Sequence, residues 1–535
     1  MKRKLAFVVQ RYGLEVNGGA ELLSRQLVEH LQQQYDIEVL TTKAIEYTTW
    51  KNEYTNDVDV INGVTVRRFG VDKPRDLNRF GKFSGKVIGN PEHTMEQEEQ
   101  WFEMQGPHVP ELIDYIKDHA DDYEAFIFMT YLYYTTVKGL PLVKDKAILI
   151  STAHDEPPVY LKTFDTLFQM PKALFYLTVE EKKFVERKFR NERIINNDGY
   201  GGSGVEVPDT IDSQFCKNKY GIDNYMVYAG RIDEAKGCKE LFDYLLRYKK
   251  ENQNDLKLVM MGKPVIPIPK SDDIVSLGFV SDQEKFDVMS GAKFLIMPSP
   301  FESLSIVVLE AMTLSVPVVV NGRCDVLKGH CVRSNGGLYY KSYYEFEGCV
   351  NYMLTHPDTA AGMGANGRKY VDANYTWEKV ETIDVGIDFS LLGNRLSGTF
   401  DWYRRDTKGM LAPGMDFPPV AGAAAPLQNA ADLRTNGWEL SISWRDQIRD
   451  WNYGIGFNLY DSRTKITRFN NDTYSLFTTK NGQEVNQYYK GYEIGTIWGY
   501  VTDGFYTDDD FNTDGTLKDG VVNINGVAIQ HPGDI

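Results

Sequence analysis

Pro298-Ser299-Pro300-Phe301-Glu302-Ser303-Leu304-Ser305-Ile306-Val307-Val308-Leu309-Glu310-Ala311-Met312 follows the apolar run 294–297 and changes character twice. The run before it reads as a buried strand, the Pro and Ser residues as a turn, and the apolar stretch from about Ser303 as a helix. Strand, turn and covering helix form the repeating unit of a parallel α/β sheet, so this stretch sets the fold class. A helix beginning near Ser303 leaves the N–H groups of Ser303, Leu304 and Ser305 free to bind an anion. Glu302 lies just ahead of that site, and Glu310 about two turns further along. On a blander reading Glu302 is a cap and Glu310 a surface residue; an otherwise apolar helix explains a surface Glu310 poorly.

The same pattern extends in both directions. Strands are expected at 5–9, 37–40, 125–129, 147–150, 173–177, 225–228, 256–261, 274–279, 294–297 and 317–320, with amphipathic helices such as 20–34 between them. These exceed one Rossmann unit and divide five and five at the glycine-rich stretch 199–204. The expected domains are therefore 1–204 and 205–380, two Rossmann-like units. Asn17-Gly18-Gly19-Ala20-Glu21 opens the first helix, where Gly18 and Gly19 allow an anionic group close to the backbone. A diglycine after a strand is as often a plain tight turn. Gly230-Arg231-Ile232-Asp233-Glu234-Ala235-Lys236-Gly237 follows the first strand of the second sheet, and Arg231 and Lys236 can converge there on a diphosphate. Taken alone that segment is also a solvated basic turn, and the 298–312 element favours the phosphate reading. His154, in Ser151-Thr152-Ala153-His154-Asp155-Glu156-Pro157, follows a first-domain strand, so it is expected to point into the interdomain cleft from the N-terminal side. A lone histidine after a strand is more often structural, and Asp155 is the weaker candidate.

Composition narrows the function. The 535 residues carry a formal net charge of -16, without the basic surface that nucleic acid requires. The apolar run after Met1-Lys2-Arg3-Lys4 stops at Gln10, short of the roughly 7–15 residues of a signal h-region, so no signal peptide is expected. The five cysteines lack metal spacing and read as reduced thiols, and no metal is expected. Asp510-x-Asn512-x-Asp514-Gly515 begins like a calcium loop, but Val521 stands where the bidentate Glu should be.

Gly-Gly-Ala-Glu at 18–21, Gly-Arg-x4-Lys-Gly at 230–237 and the Glu302/Glu310 pair resemble the family-4 glycosyltransferases, in order and with the usual separations; Tyr375-Thr376-Trp377-Glu378 is similar to that family's closing helix. The resemblance covers residues 1–380 and implies the GT-B fold, two Rossmann-like domains facing across a cleft. It further implies retaining, metal-independent hexosyl transfer, with a nucleotide sugar as co-substrate and no other cofactor. Arg231 and Lys236 would hold the diphosphate, Glu302 and His154 the donor sugar, and Glu310 the ribose. The implied acceptor is a glycan or lipid-linked glycan, in surface polysaccharide synthesis in the cytoplasm or in peripheral contact with the inner membrane. Acceptor loops are expected between residues 50 and 108.

Beyond about 380 the apolar period shifts to two: Ile383, Val385, Ile387 and Phe389, then a Gly393-Asn394 turn, then Leu396, Phe400 and Trp402. The alternation returns at 438–444 and 451–459, after a long loop from 403 to 437. Periodicity alone allows a soluble sandwich or a transmembrane β-barrel. The segments 381–389, 394–398, 401–408 and 436–439 and the closing Pro532-Gly533-Asp534-Ile535 resemble SusC-type TonB-dependent outer-membrane receptors. Residues 381–535 are thus expected to be a partial receptor barrel without plug or export signal. Trp377-Glu378-Lys379-Val380 fits both parents, as a splice at a shared short sequence would. Two alternatives follow: a glycan uptake receptor, and a non-functional chimera.

Overall fold

A computed structural model of the chain describes residues 2–16, 18–197, 201, 204–375, 377–413, 427–469, 475–480, 483–496, 504–521 and 531–532. Asn17, most of the 199–204 stretch, Thr376, residues 418–425, Val522 onward to 530 and the closing 533–535 lie outside them. The chain divides into two compact units, Met1–Glu378 with Pro419–Asn429, and Lys379–Pro418 with Ala430–Ile535.

The first unit holds two sheets. One contains β1 (Lys4–Val8), β2 (Asp36–Thr42), β3 (Val58–Ile61), β4 (Val64–Phe69), β5 (Ala125–Met129), β6 (Ala147–Ile150), β7 (Ala173–Phe175) and β8 (Ile195–Asn196), in the order β3-β4-β2-β1-β5-β6-β7-β8. Every neighbouring pair is parallel except β3 with β4. The other contains β9 (Tyr225–Ala229), β10 (Lys257–Met261), β11 (Ile274–Gly278), β12 (Phe294–Met297), β13 (Val318–Asn321) and β14 (Gly337–Tyr340), all parallel, in the order β11-β10-β9-β12-β13-β14. Phe7, Val8, Met226, Val227, Leu295 and Ile296 have no exposed surface, as strands covered by helices on both faces require. In each sheet the order reverses beside the first strand, between β1 and β5 and between β9 and β12. At such switch points the chain leaves the strand ends in opposite directions and opens a crevice.

All ten expected strands are present, but the sheets have eight and six strands rather than five each. Of the strands not foreseen, β3 is exposed on alternate residues and β8 has two residues. The β3–β4 hairpin turns at Asn62 and Gly63, both at positive φ, so the 50–108 region is in part regular structure rather than loop. It also contains the helices Leu77–Ile88 and Met95–Gln105.

In the second unit β15 (Lys379–Leu391), β16 (Leu396–Pro413), β17 (Leu427–Ile448) and β18 (Trp451–Phe469) form a sheet in that order. β15 pairs antiparallel with β16, and β17 with β18. Gly393 and Asn394 turn the first hairpin at φ 66° and 67°. The long loop expected from 403 to 437 is mostly strand, because β16 continues to Pro413 and β17 resumes at Leu427. Register places Val385 opposite Trp402, Ile387 opposite Phe400, Leu440 opposite Leu459 and Ile442 opposite Phe457. The intervening residues are Asp384, Asp388, Asp401, Ser441 and Asn458, so one face is apolar and the other polar.

Candidate active site

Arg231 and Lys236 leave the end of β9, and the 298–305 turn leaves the end of β12. Because β9 and β12 are neighbours, the switch point brings these segments together. Lys236 Nζ lies 2.7 Å from Glu302 Oε1. Asp233 organises the basic loop: one carboxylate oxygen accepts from the Lys236 backbone N–H at 2.7 Å, and the other pairs with Arg231 Nε. Gly237 has φ 74°, and a Cβ there would stand 2.3 Å from the Pro298 carbonyl oxygen. Only glycine lets the two loops approach this closely.

The helix expected from Ser303 instead spans Ile306–Thr313. Ser305 precedes it in a left-handed conformation (φ 60°, ψ 68°), with no side-chain cap. The turn is held from outside the helix, which delays its start: Ser303 O accepts from Thr178 Oγ1 at 3.1 Å, and Leu304 O lies 2.9 Å from His330 Nε2. Burial drives the His330 pKa down to about 3, so the ring donates to that carbonyl as a neutral group. The Leu304 side chain is buried, so this residue offers only its backbone. Glu310 is also buried, and Lys285 Nζ lies 2.8 Å from its carboxylate. Burial raises its pKa despite that lysine.

The first sheet supplies the opposite wall. Gly18 precedes the helix Gly19–Leu31 and packs against Glu21, where a Cβ would meet Oε2 at 2.0 Å; a Cβ on Gly19 would meet nothing within 4 Å. Glu21 Oε1 in turn accepts from Arg11 Nη2 at 2.6 Å and Gln10 Nε2 at 2.9 Å. After β6, His154 stacks on Phe301 with ring centroids 5.7 Å apart. Its Nδ1 faces the Thr152 carbonyl at 3.2 Å and its Nε2 faces Glu156 Oε2 at 3.4 Å. Both ring nitrogens therefore meet acceptors, which suits the imidazolium. Burial alone would lower the His154 pKa, but Glu156, with Glu302 behind it, raises it overall. Tyr131 donates to Glu156 at 2.7 Å. Beneath the loop, fully buried Glu181 accepts from Ser151 Oγ, Ala153 N and Leu177 N at 2.6–2.8 Å. Burial lifts its pKa to about 7 against those three donors.

The structure thus joins Arg231, Lys236, Glu302 and the 303–305 turn on one wall, with His154 reaching that wall through Phe301. Asp233, Glu156, Glu181 and Phe301 were not singled out from sequence. Asp233, Glu156 and Phe301 each lie within two residues of a named site residue, and a carboxylate that close to a catalytic-type cation is a usable signal. Among the described residues, no group of three or more His, Cys, Asp or Glu side chains could hold a metal ion. In the 510–521 segment, Asp510 and Asp514 accept from Thr507 and Thr516. No helix among the described residues is long and apolar enough to cross a membrane.

Two Rossmann-like domains with facing switch-point crevices define a GT-B protein. Residues 210–370 match the family of glycosyl transferases group 1, and residues 333–529 that of the TonB dependent receptor-like beta-barrel, so the chain joins elements of both. Their overlap, 333–370, folds here as the end of one helix, β14 and the helices Tyr343–Thr355 and Pro357–Asn374. TonB-dependent receptor P3 of Formosa agariphila is 26% identical over 147 residues, 26% of this chain and 15% of the receptor. MMP alpha-(1->4)-mannosyltransferase of Mycolicibacterium hassiacum is 24% identical over 196 residues, 34% of this chain and 47% of the enzyme. The chain therefore spans less than half the length of either relative. The structure of sucrose-phosphate synthase from Thermosynechococcus elongatus superposes with a TM-score of 0.54 at 15% identity, covering 70% of this chain and 96% of that one.

Proposed function

We propose that the first unit transfers a hexosyl group from a nucleoside diphosphate sugar to a glycan or lipid-linked acceptor, with retention of configuration. The observation that carries this is the cluster of Arg231, Lys236 and Glu302 at the β9/β12 switch point, on a group 1 glycosyl transferase domain. In this reading the acceptor oxygen bonds to the anomeric carbon on the face from which the diphosphate leaves. The acceptor proton passes to the departing phosphate. Arg231, Lys236 and the N–H groups of 303–305 stabilise the charge growing on that phosphate, so the protein itself supplies the positive charge. Glu302 and His154 contact the sugar, and Glu310 exchanges Lys285 for the ribose diol. The likeness to a mannosyltransferase makes a hexose the first group to test. Surface polysaccharide is the product class we assign, with the work done in the cytoplasm or at the inner membrane face.

The test is a thermal-shift screen of the chain against UDP, GDP, ADP and their hexose conjugates. A rise in Tm with one nucleotide, lost in Glu310→Ala, supports the reading; no rise with any of them removes it.

The second unit favours a separate reading, as part of the wall of an outer-membrane glycan receptor, because its sheet has one apolar and one polar face. Tryptophan emission should then shift to the blue on adding outer-membrane lipid vesicles, and unchanged emission would exclude insertion.

A further inference from the structure

The segment 45–49 leaves the end of β2, and the first domain fixes its backbone throughout. Glu53 accepts the N–H groups of Ile45 and Glu46 at 3.0 and 2.8 Å. Arg11 Nη1 donates to the Ile45 carbonyl at 2.6 Å. Arg75 Nη1 reaches the carbonyls of Tyr47 and Thr48 at 3.3 and 3.4 Å, and its backbone N–H donates to Thr49 O at 2.7 Å. Trp50, next in the chain, is fully buried and donates to Gln105 O at 2.8 Å.

Two side chains of this fixed segment cross to the second domain. Glu46 Oε1 lies 2.7 Å from Lys263 Nζ, just beyond β10. The Tyr47 ring lies 4.4 Å from the Arg231 guanidinium carbon, and Arg11 stands 5.6 Å from the same ring. Arg231 is thus held along one edge by Asp233 and on one face by Tyr47.

We propose that Tyr47 is a positioning residue for donor binding: its ring fixes the plane of the Arg231 guanidinium, so that the first domain sets how well the second grips a diphosphate. This rests on the transferase reading above. A cation–π contact of this kind corresponds to a roughly fivefold to thirtyfold change in affinity. The phenol oxygen has no part in it, so Tyr47→Phe should behave as wild type.

The experiment measures binding of UDP and UMP, GDP and GMP, or ADP and AMP, whichever pair binds wild type best, by calorimetry on the full chain. The variants are Tyr47→Phe, Tyr47→Ala, Arg231→Ala and the double variant. Tyr47→Ala should weaken the diphosphate roughly tenfold and the monophosphate much less, and should add nothing further in the Arg231→Ala background. Equal loss for both nucleotides, or an undiminished effect without Arg231, overturns the proposal. If Arg231→Ala loses the diphosphate while Tyr47→Ala keeps it, Tyr47 is dismissed and the transferase reading stands. If wild type binds none of the three nucleotide pairs, both fall.

Discussion

Lys236 Nζ sits 2.7 Å from Glu302 Oε1, so the cation assigned to the donor phosphates already has a carboxylate partner that is itself mostly buried. On the proposed transferase reading, a diphosphate entering here would draw the lysine from one anion towards another and leave Glu302 free to accept hydrogen bonds from sugar hydroxyls. Lys236→Ala is expected to lower kcat/KM by roughly a hundredfold to a thousandfold, the usual cost of removing a group that stabilises transition-state charge. Glu302→Gln in the same chain should cost less than in the wild type, because the two residues are in contact. Steady-state kinetics on the four chains measures this, and strictly additive losses would show that the ion pair does not couple sugar and phosphate binding.

His154 gives the site a pH dependence with a defined sign. Its folded pKa lies above the ordinary histidine value, chiefly because Glu156 outweighs the effect of burial. The stability it contributes is therefore fully present below about pH 6.5 and is lost as pH rises through the folded value. Wild-type Tm should fall between pH 6 and pH 8.5, and the fall should be smaller in Glu156→Gln, where the ring loses its charged partner. Thermal melts across that range measure it, and identical slopes in the two chains would remove the Glu156–His154 link.

Much of this is legible in the sequence, for identifiable reasons. Most of the ten expected strands stand out as short apolar runs because parallel strands are buried on both faces; β3, with alternate exposure, does not. Arg231, Lys236 and Glu302 stand out as charges just after apolar strands, and Glu310 as a charge inside an otherwise apolar helix. Sequence alone puts the helix start near Ser303 because Thr178 and His330, which pull the turn away from helical geometry, are far off in the chain. Tyr47 has no local signal at all, since its meaning comes from Arg231, which belongs to the other domain.

Gly237 tests whether the basic loop must press against the 298–305 turn. Its φ of 74°, and the Pro298 carbonyl oxygen 2.3 Å from where a Cβ would stand, both oppose any side chain. Gly237→Ala should destabilise the protein by about 1–3 kcal/mol and also displace Lys236, so that KM for the donor rises. Urea unfolding alongside kinetics separates the two effects. An alanine chain with unchanged stability and unchanged donor KM would show that this close approach is not needed.

The apolar face of the second unit predicts the solution behaviour of the whole chain. Ile383, Val385 and Ile387 are 56–62% exposed on β15, and Ile455 and Phe457 are 69% and 57% exposed on β18. A contiguous face of this kind favours association, and β15 also ends the sheet among the described residues. The chain is expected to sediment as large, polydisperse species in aqueous buffer and to become monodisperse in a non-ionic detergent. Replacing Ile383, Val385 and Ile387 together by Thr should keep the strand, since threonine suits extended backbone, while reducing association several-fold. Analytical ultracentrifugation with and without detergent distinguishes the outcomes. A wild-type chain that is monodisperse without detergent would mean that this face is covered in solution.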